Sequence, residues 1–499
     1  MERRLTQKEE QLDKRLELAE KNEKQLSWLM ISLIAFNFVW GLGNVVNNFA
    51  QQGIVVITSW LIILVIYFIP YSLMIGQLGS TFQDSEGGVS DWIKHTSTKK
   101  LAYFAAWTFW VVQIPYLAQK PQTILIALGW VFQGHSGIID ELPIPLLVTV
   151  CLAFFLVVLY ISTKGIRALK FLGTIAGTAM FVMSILFILL AVGVPLIKPD
   201  LQLATANMDK IETYIPKFDF SYFTTIALLV FSVGGAECMS PYVHKLKNPA
   251  KEFPKGMIAM AVMVGICAVF GSFAMGMIFD SNNIPQDLMR NGAYQAFAVL
   301  GKHWNIGNVL VTIYALTQFI GQTATLALSI DAPLQIFLGS ADKEYIPRWL
   351  RARTKNGTLR NGYILTGVLT GALILMPALG LKEIDTVVVW MTNLNAIVSP
   401  MCFLWVFVAF MFLYRHWDRY KNAEYKYISN KTLGFLMGLW GFAFTAFACI
   451  LGMVPQVDYA QDPSEWWFVL ISNIIMPFAL LGLGLVLPWI ARKEQKQQA

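Results

Sequence analysis

Long, nearly uncharged runs of apolar residues recur along the whole chain, and most contain twenty residues or more. A helix of about twenty apolar residues crosses the roughly 30 Å hydrocarbon core of a bilayer. The runs lack the alternation of a membrane-spanning strand, so we do not expect strands as the spanning elements. We therefore predict an all-α integral membrane protein with twelve transmembrane helices. Their approximate spans are 27–49, 54–79, 101–133, 143–162, 171–195, 222–243, 257–279, 305–331, 361–380, 386–414, 433–454 and 465–490.

Composition supports this class and excludes others. Of the 499 residues, 56% are hydrophobic and 14% are charged, whereas a soluble domain has about 45–50% apolar and about 25% charged residues. A soluble enzyme or a nucleic-acid-binding protein is therefore not expected, although the net charge is +7. The sequence contains no GxxxxGK[ST], HExxH or GxSxG motif, and its five Cys and five His residues are scattered. We therefore expect no ATP-driven pump, no enzyme, no cofactor and no metal site.

The distribution of Lys and Arg predicts the orientation of the chain. With a cytoplasmic N-terminus, the inner loops and both tails hold 31 of the 38 basic residues, and the outer loops hold six. Because basic residues concentrate on the cytoplasmic side, we expect a multi-pass protein of the cell membrane with both termini in the cytoplasm. Residues 1–26 carry seven basic and seven acidic side chains, too many for a signal peptide. They are predicted to form a solvated helix, with a coiled coil or partner helix as the alternative.

Glycine pairs interrupt two of the predicted helices. The first span contains Trp40-Gly41-Leu42-Gly43-Asn44, and the sixth contains Phe231-Ser232-Val233-Gly234-Gly235. Each glycine costs about 1 kcal/mol in a helix interior, and unwound backbone inside a membrane is tolerated where it lines a cavity or binds a ligand. Close packing of neighbouring helices is the alternative. The pairs open two blocks of five spans, 27–195 and 222–414, and this correspondence favours the binding site of an inverted-repeat transporter.

Two charged residues lie in the interior of the predicted spans, away from their ends. Glu237 follows the second glycine pair; it is either a structural acceptor for unwound backbone amides, or a binding or proton-coupling carboxylate. Lys120 lies in the third span, between glutamines and prolines, and it either pairs with Glu237 or meets a substrate carboxylate. Further polar residues of spans 8 and 10, expected mainly to join helices, are Gln318, Gln322, Thr323, Thr325, Thr392, Asn393 and Asn395.

The residues around both glycine pairs resemble the amino acid–polyamine–organocation (APC) superfamily. Its first-span G-x-G break matches Gly41-Leu42-Gly43, and its sixth-span pattern matches Phe231-Ser232, Gly235 and Glu237. Further matches are Lys247-Asn248-Pro249, Pro254, Glu86-Gly87-Gly88, Thr163-Lys164-Gly165 and Asn356-Gly357. Within the superfamily the chain is most similar to the bacterial glutamate/γ-aminobutyrate antiporter group, in Glu86-Gly87-Gly88-Val89 and in the layout of spans 6 to 8.

The resemblance implies a LeuT-like core of ten helices in a 5+5 inverted repeat, with spans 11 and 12 at its periphery. Backbone amides near Gly43 and Asn44 would then receive the carboxylate of an amino acid, and carbonyls near Trp40 and Phe231 would receive its ammonium group. Glu237 and Lys120 would supply coupling or supporting charge. The expected substrate-binding residues are Trp40, Gly41, Leu42, Gly43, Asn44, Phe231, Ser232, Gly234 and Gly235.

The expected function is a secondary transporter that moves amino acids, or their decarboxylated amines, by alternating access. An exchanger such as a glutamate/γ-aminobutyrate antiporter is favoured; a proton-coupled symporter, or a channel or receptor on the same fold, is the alternative. Expected partners are the small-molecule substrate and the lipid bilayer, with a homodimer left open and neither nucleic acid nor ATP involved. The remaining predicted segments are the cytoplasmic segment 1–26, the outer loop 196–221, the last two spans with their preceding loop at 415–490, and the tail 491–499.

Overall fold

The computed structural model describes most of the chain. Some predictions lie outside the described residues: the charged N-terminal segment up to residue 25, Gly165, the Asn356-Gly357 pair, and the junction of the ninth and tenth predicted spans at 376–391. The described residues are 26–164, 166–197, 203–339, 342, 344–353, 358–375, 392–455, 459–460 and 462–498.

The described residues form helices, 3₁₀ and π segments and loops, and their β-structure consists of one isolated bridge between Leu26 and Leu246. The α-helices of seven or more residues in the first half are α1 Trp28–Val39, α2 Leu42–Gln52, α3 Val56–Ile63, α4 Ile69–Thr81, α5 Val89–Thr96, α6 Lys99–Val111, α7 Gln113–Phe132, α8 Ile144–Ser162 and α9 Ile166–Ile197. Those of the second half are α10 Ile226–Ser232, α11 Pro249–Ile278, α12 Leu288–His303, α13 Val309–Leu338, α14 Arg360–Leu375, α15 Pro400–Arg415, α16 Lys431–Gly452, α17 Pro463–Gly482 and α18 Val486–Gln498. Residues 392–398, just before α15, are helical as well.

Ten helical segments among the described residues are long and apolar enough to cross a membrane. The first two predicted spans fall in one of them, Trp28–Thr81, because a 3₁₀ turn at Gly53–Val55 joins their helices without an intervening loop. The ninth predicted span is described as a helix of 16 residues that reaches Leu375. Large apolar side chains such as Val65 and Phe171 are about two-thirds exposed, as expected for helices that face lipid. The all-helical membrane class is therefore confirmed for the described residues.

Several helices extend beyond the predicted apolar runs. Helix α11 begins at Pro249, eight residues before the predicted start of the seventh span, and α13 continues to Leu338. A hydropathy pattern stops at the last apolar residue, whereas a helix continues for as long as its backbone bonds and packing allow. The charged start of α11, with Lys251, Glu252 and Lys255, lies outside the apolar window that defines a span.

The first and sixth predicted spans are both interrupted. Helix α1 ends at Val39, Trp40 and Gly41 are extended, and α2 begins at Leu42. Helix α10 ends at Ser232, and a 3₁₀ segment, Ala236–Lys245, follows the second interruption. Gly235 has a φ of +115°, a conformation that L side chains rarely adopt. The two glycine pairs therefore mark real breaks in the helices.

Neighbouring helices hold both breaks in the interior. Helix α1 packs against α9 and α11, while α7 packs along α13. Trp40, at the first break, is 2% exposed and its ring meets that of Trp60 edge-on. The first break is thus enclosed by long helices on several sides.

Candidate functional site

A cavity of about 190 Å³ lies between the two helix breaks. Its walls come from both broken helices and from α7, α12 and α13. Of the predicted binding residues, Leu42 and Ser232 do not line it and are buried beside it. The predicted residues that do line it are Trp40, Gly41, Gly43, Asn44, Lys120, Phe231, Gly234, Gly235 and Glu237.

The start of α2 lies at the wall of this cavity, which Gly43 and Asn44 line. The first N–H groups of an α-helix have no carbonyl one turn earlier to bond with, and they carry partial positive charge. Asn44 N–H donates to the carbonyl of Gly41 at 2.9 Å. The N–H groups of Leu42 and Gly43, the first two residues of α2, are therefore the ones without an acceptor inside the helix. A side chain built on Gly43 would meet no atom within 4 Å. An anionic group can therefore approach the backbone closely at Gly43.

The side chain of Asn44 joins the two breaks. Its amide nitrogen donates to the carbonyl of Val39 at 3.0 Å and to the carbonyl of Ser232 at 3.1 Å. Those carbonyls end α1 and α10, so one amide group satisfies acceptors that the breaks expose. Asn48 adds a 2.8 Å bond to the hydroxyl of Ser232. Ser232 thus contributes by holding the two broken helices together.

Glu237 is fully buried and fixes the second break. Its Oε2 accepts hydrogen bonds from the Tyr71 hydroxyl at 2.8 Å and from Gly235 N–H at 2.9 Å. The thiol of Cys238 lies 3.7 Å from Oε1. A buried carboxylate with several donors is stabilised in place. This geometry supports the structural interpretation of Glu237, and the residue also forms part of the cavity wall.

Lys120 does not pair with Glu237, although both residues are described. Its Nζ donates to Gln322 Oε1 at 2.6 Å and lies 4.4 Å above the ring of Tyr116. Gln322 in turn donates to Gln318 Oε1 at 3.1 Å, and Gln318 donates to the Tyr314 hydroxyl at 2.6 Å. A chain of neutral polar groups on α13 therefore holds the ammonium group at the cavity wall.

The polar residues of the eighth and tenth predicted spans divide into two groups. Thr392 and Asn395 both bond to the amide of Gln119, at 2.8 and 2.9 Å, and Thr325 bonds to Asn37 at 3.0 Å. These residues join helices. Thr325 and Thr392 also line the cavity, as do Gln318 and Gln322, which were likewise expected mainly to join helices.

Sequence reasoning missed Arg290 as a site residue. It lies near the start of α12, a helix within a predicted loop, and it lines the cavity with Met289, Ala293 and Tyr294. No run of apolar residues marks α12 as part of the membrane core, so its approach to the site follows only from tertiary packing. The bonded pair Trp130 and Asn291, at 3.1 Å, attaches α12 to the end of α7.

Comparisons with known proteins agree with this architecture. An amino acid permease family model matches residues 26–480. The chain is 59% identical over 474 residues to the aspartate/glutamate permease AcaP of Lactococcus lactis subsp. cremoris, a match that covers 95% of this chain and 97% of the relative. It is 23% identical over 358 residues to the probable agmatine/putrescine antiporter AguD of Lactococcus lactis subsp. lactis, covering 70% and 72% of the two chains.

A third relative is an antiporter by name. The chain is 21% identical over 435 residues to the glutamate/gamma-aminobutyrate antiporter of Lactococcus lactis subsp. lactis, covering 84% of this chain and 82% of the relative. These matches and the apolar helices indicate a multi-pass transporter of the cell membrane rather than an enzyme. The chain belongs to the amino acid permease family of the APC superfamily.

Proposed function

We propose that this protein is a secondary transporter that moves amino acids across the cell membrane by alternating access, with its substrate bound in the cavity between the two helix breaks. The observation that carries the proposal is the juxtaposition of two interrupted helices around one internal cavity. Unwound backbone at membrane depth is tolerated where it lines such a space.

The backbone groups at the breaks suit the two charged ends of an amino acid. The α-carboxylate would bind at the start of α2, where the helix N-terminus carries partial positive charge and a Cβ on Gly43 would meet no atom within 4 Å. The ammonium group fits the carbonyl ends of α1 and α10, near Trp40 and Phe231, because helix C-termini carry partial negative charge. Asn44 already bonds to two of these carbonyls, and each carbonyl oxygen has a second lone pair for the substrate.

Aspartate and glutamate are the first candidate substrates. The relative that shares 59% of its residues over nearly the whole chain is named as a permease for these two amino acids. Exchange is the proposed mode, since two of the matched relatives are named as antiporters. A proton-coupled symporter is the alternative, and a channel or receptor on the same fold is a further one.

The proposed architecture has twelve spans in a 5+5 inverted repeat. The helix breaks open the two proposed repeats, 27–195 and 222–414, and the segment 415–490 would lie at the periphery. Support comes from the equivalent places of the breaks and from the low burial of the last candidate span, Trp466–Gln497, whose apolar 18-residue stretch is 17% buried. The excess of basic residues in the predicted inner loops supports cytoplasmic termini.

Transport by purified protein in liposomes tests this proposal. Vesicles preloaded with unlabelled glutamate should take up labelled aspartate or glutamate by counterflow, in a saturable way. Empty vesicles with an inward proton gradient serve as the comparison. Uptake of labelled substrate into the empty vesicles, without uptake into the preloaded ones, would favour the symporter. Ionic conductance without saturable uptake would favour the channel. The absence of uptake for every common amino acid and amine in both kinds of vesicle would contradict transport.

A further inference from the structure

We propose that the ammonium group of Lys120, held in position by Gln322, binds the side-chain carboxylate of the substrate and sets a preference for acidic over neutral amino acids. This inference rests on the proposed function and names the residue that determines its substrate class. The arrangement joins α7, which carries Lys120, to α13, which carries Gln322.

The first argument is that the described partners of Lys120 are all neutral. Its Nζ contacts the amide oxygen of Gln322 and the ring of Tyr116. A lysine ammonium within a membrane helix is expensive unless an opposite charge accompanies it, and a neutral amide compensates only part of that cost. A negatively charged group that enters the cavity would supply the missing charge.

The second argument is that the nearby carboxylate is already engaged. Glu237 accepts bonds from Tyr71 and from the backbone of Gly235, so it is fixed at the second break. The described contacts of Lys120 therefore include no carboxylate. The side-chain carboxylate of aspartate or glutamate would supply the opposite charge, whereas the side chains of neutral amino acids and the cationic amines would not.

The third argument is the preorganisation of Lys120. Tyr314, Gln318 and Gln322 are spaced four residues apart and so lie on one face of α13. Because the Gln322 amide nitrogen donates to Gln318, its oxygen is turned towards Lys120. One of the three ammonium N–H groups is thereby used, and two remain as donors for the oxygens of a carboxylate. Gln322 is thus a positioning residue and Lys120 is the binding residue.

The fourth argument is proximity to the first break. A side chain built on Gly41 would begin 3.9 Å from the amide nitrogen of Gln322, and the oxygen of the same amide lies 2.6 Å from Lys120 Nζ. A substrate whose α-carboxylate sits at Gly43 therefore needs only a short side chain to reach Lys120. Aspartate and glutamate have side chains of this kind.

The test compares substrates that differ in charge but hardly in shape. Counterflow of labelled aspartate is measured in the presence of unlabelled aspartate or unlabelled asparagine as competitor. The same competition is measured for labelled glutamate, with glutamate or glutamine as competitor. The wild-type protein should prefer the acidic member of each pair. Lys120→Met should reduce this preference by about 10- to 100-fold, the change expected from losing a charge-assisted hydrogen bond.

Gln322→Glu is the sharper variant because it keeps Lys120. The new carboxylate, in place of an isosteric amide, would pair with Lys120 and exclude the substrate carboxylate, so the acidic preference should fall as in Lys120→Met. Lys164→Met is the matched control: Lys164 Nζ also lies 4.4 Å above a tyrosine ring, but the residue is exposed and lies outside the cavity wall. This variant should keep the wild-type preference.

The possible results separate this inference from the proposed function. Equal competition by aspartate and asparagine in the wild-type protein would overturn the inference. This result does not depend on whether the variants fold. An unchanged preference in folded Lys120→Met, judged by size-exclusion chromatography, would also overturn it while leaving amino acid transport intact. Failure of the wild-type protein to transport any amino acid would instead contradict the proposed function.

Discussion

The side-chain amide of Asn44 donates a 3.1 Å hydrogen bond to the main-chain carbonyl of Ser232, 188 residues further along the chain. The same amide reaches the carbonyl of Val39, so one side chain connects the ends of α1 and α10. Because both carbonyls are left without helical partners by the breaks, the breaks depend on each other. The cavity is therefore shaped by a polar contact between the two interrupted helices.

We expect Asn44→Asp to damage the protein more than Asn44→Ala does. Alanine removes two hydrogen bonds, at about 1 kcal/mol each, and aspartate also points acceptor oxygens at two carbonyls. Thermal unfolding of the purified variants in detergent measures the effect, with Asn422→Ala, at an exposed loop residue, as the control. A melting temperature of Asn44→Asp equal to that of the control would show that this contact does not hold the breaks.

The two glycine pairs should respond differently to alanine. A Cβ on Gly43 meets open space, whereas one on Gly235 would lie 2.7 Å from a ring carbon of Phe38 at a φ of +115°. The left-handed backbone alone costs about 1–2 kcal/mol for an L residue. Gly43→Ala should therefore fold and lose substrate affinity, while Gly235→Ala should yield little folded protein. Expression, size-exclusion profiles and counterflow distinguish these results, and normal folding of Gly235→Ala would contradict the argument.

Tyr71→Phe tests the role assigned to Glu237. The Tyr71 hydroxyl is one of the donors that hold this buried carboxylate, and leaving a buried charged acceptor short of a donor costs about 1–3 kcal/mol. We expect a lower melting temperature with an unchanged preference between aspartate and asparagine.

Tyr67→Phe provides the matched control for that experiment. Tyr67 is equally buried and stacks on Tyr71, but its hydroxyl bonds to Thr445 instead. Its loss removes a bond between two neutral groups and should lower stability by less. If Tyr71→Phe changed the substrate preference and left stability unaltered, Glu237 would be a selectivity group rather than a structural one.

Sequence patterns predict the elements of this protein better than the contacts between them. Apolar runs indicate the membrane helices, and the glycine pairs indicate the breaks, because both signals are local. The bond from Lys120 to Gln322 spans 202 residues, and no local pattern shows that α7 and α13 face each other. Arg290 was missed for the same reason, since a polar loop helix carries no mark of the cavity that it covers.

The buried carboxylate of Asp331 leads to a last prediction. On α13, it accepts bonds from the Tyr242 hydroxyl at 2.6 Å and from the Tyr363 hydroxyl. Tyr242 belongs to the 3₁₀ segment after the second break, and Tyr363 belongs to α14. If the broken helix moves against α13 during transport, the bond from Tyr242 has to break, whereas the bond from Tyr363 can persist.

Tyr242→Phe should therefore loosen the 3₁₀ segment selectively. Loss of a bond worth about 1 kcal/mol raises the open population about five-fold, and hydrogen exchange of the peptide 236–245 measures this opening. Tyr363→Phe removes the other tyrosine hydroxyl that donates to Asp331. This variant should increase hydrogen exchange in α14 instead. If both variants changed exchange equally at 236–245, Asp331 would act as a common structural anchor and not as a releasable contact with the broken helix.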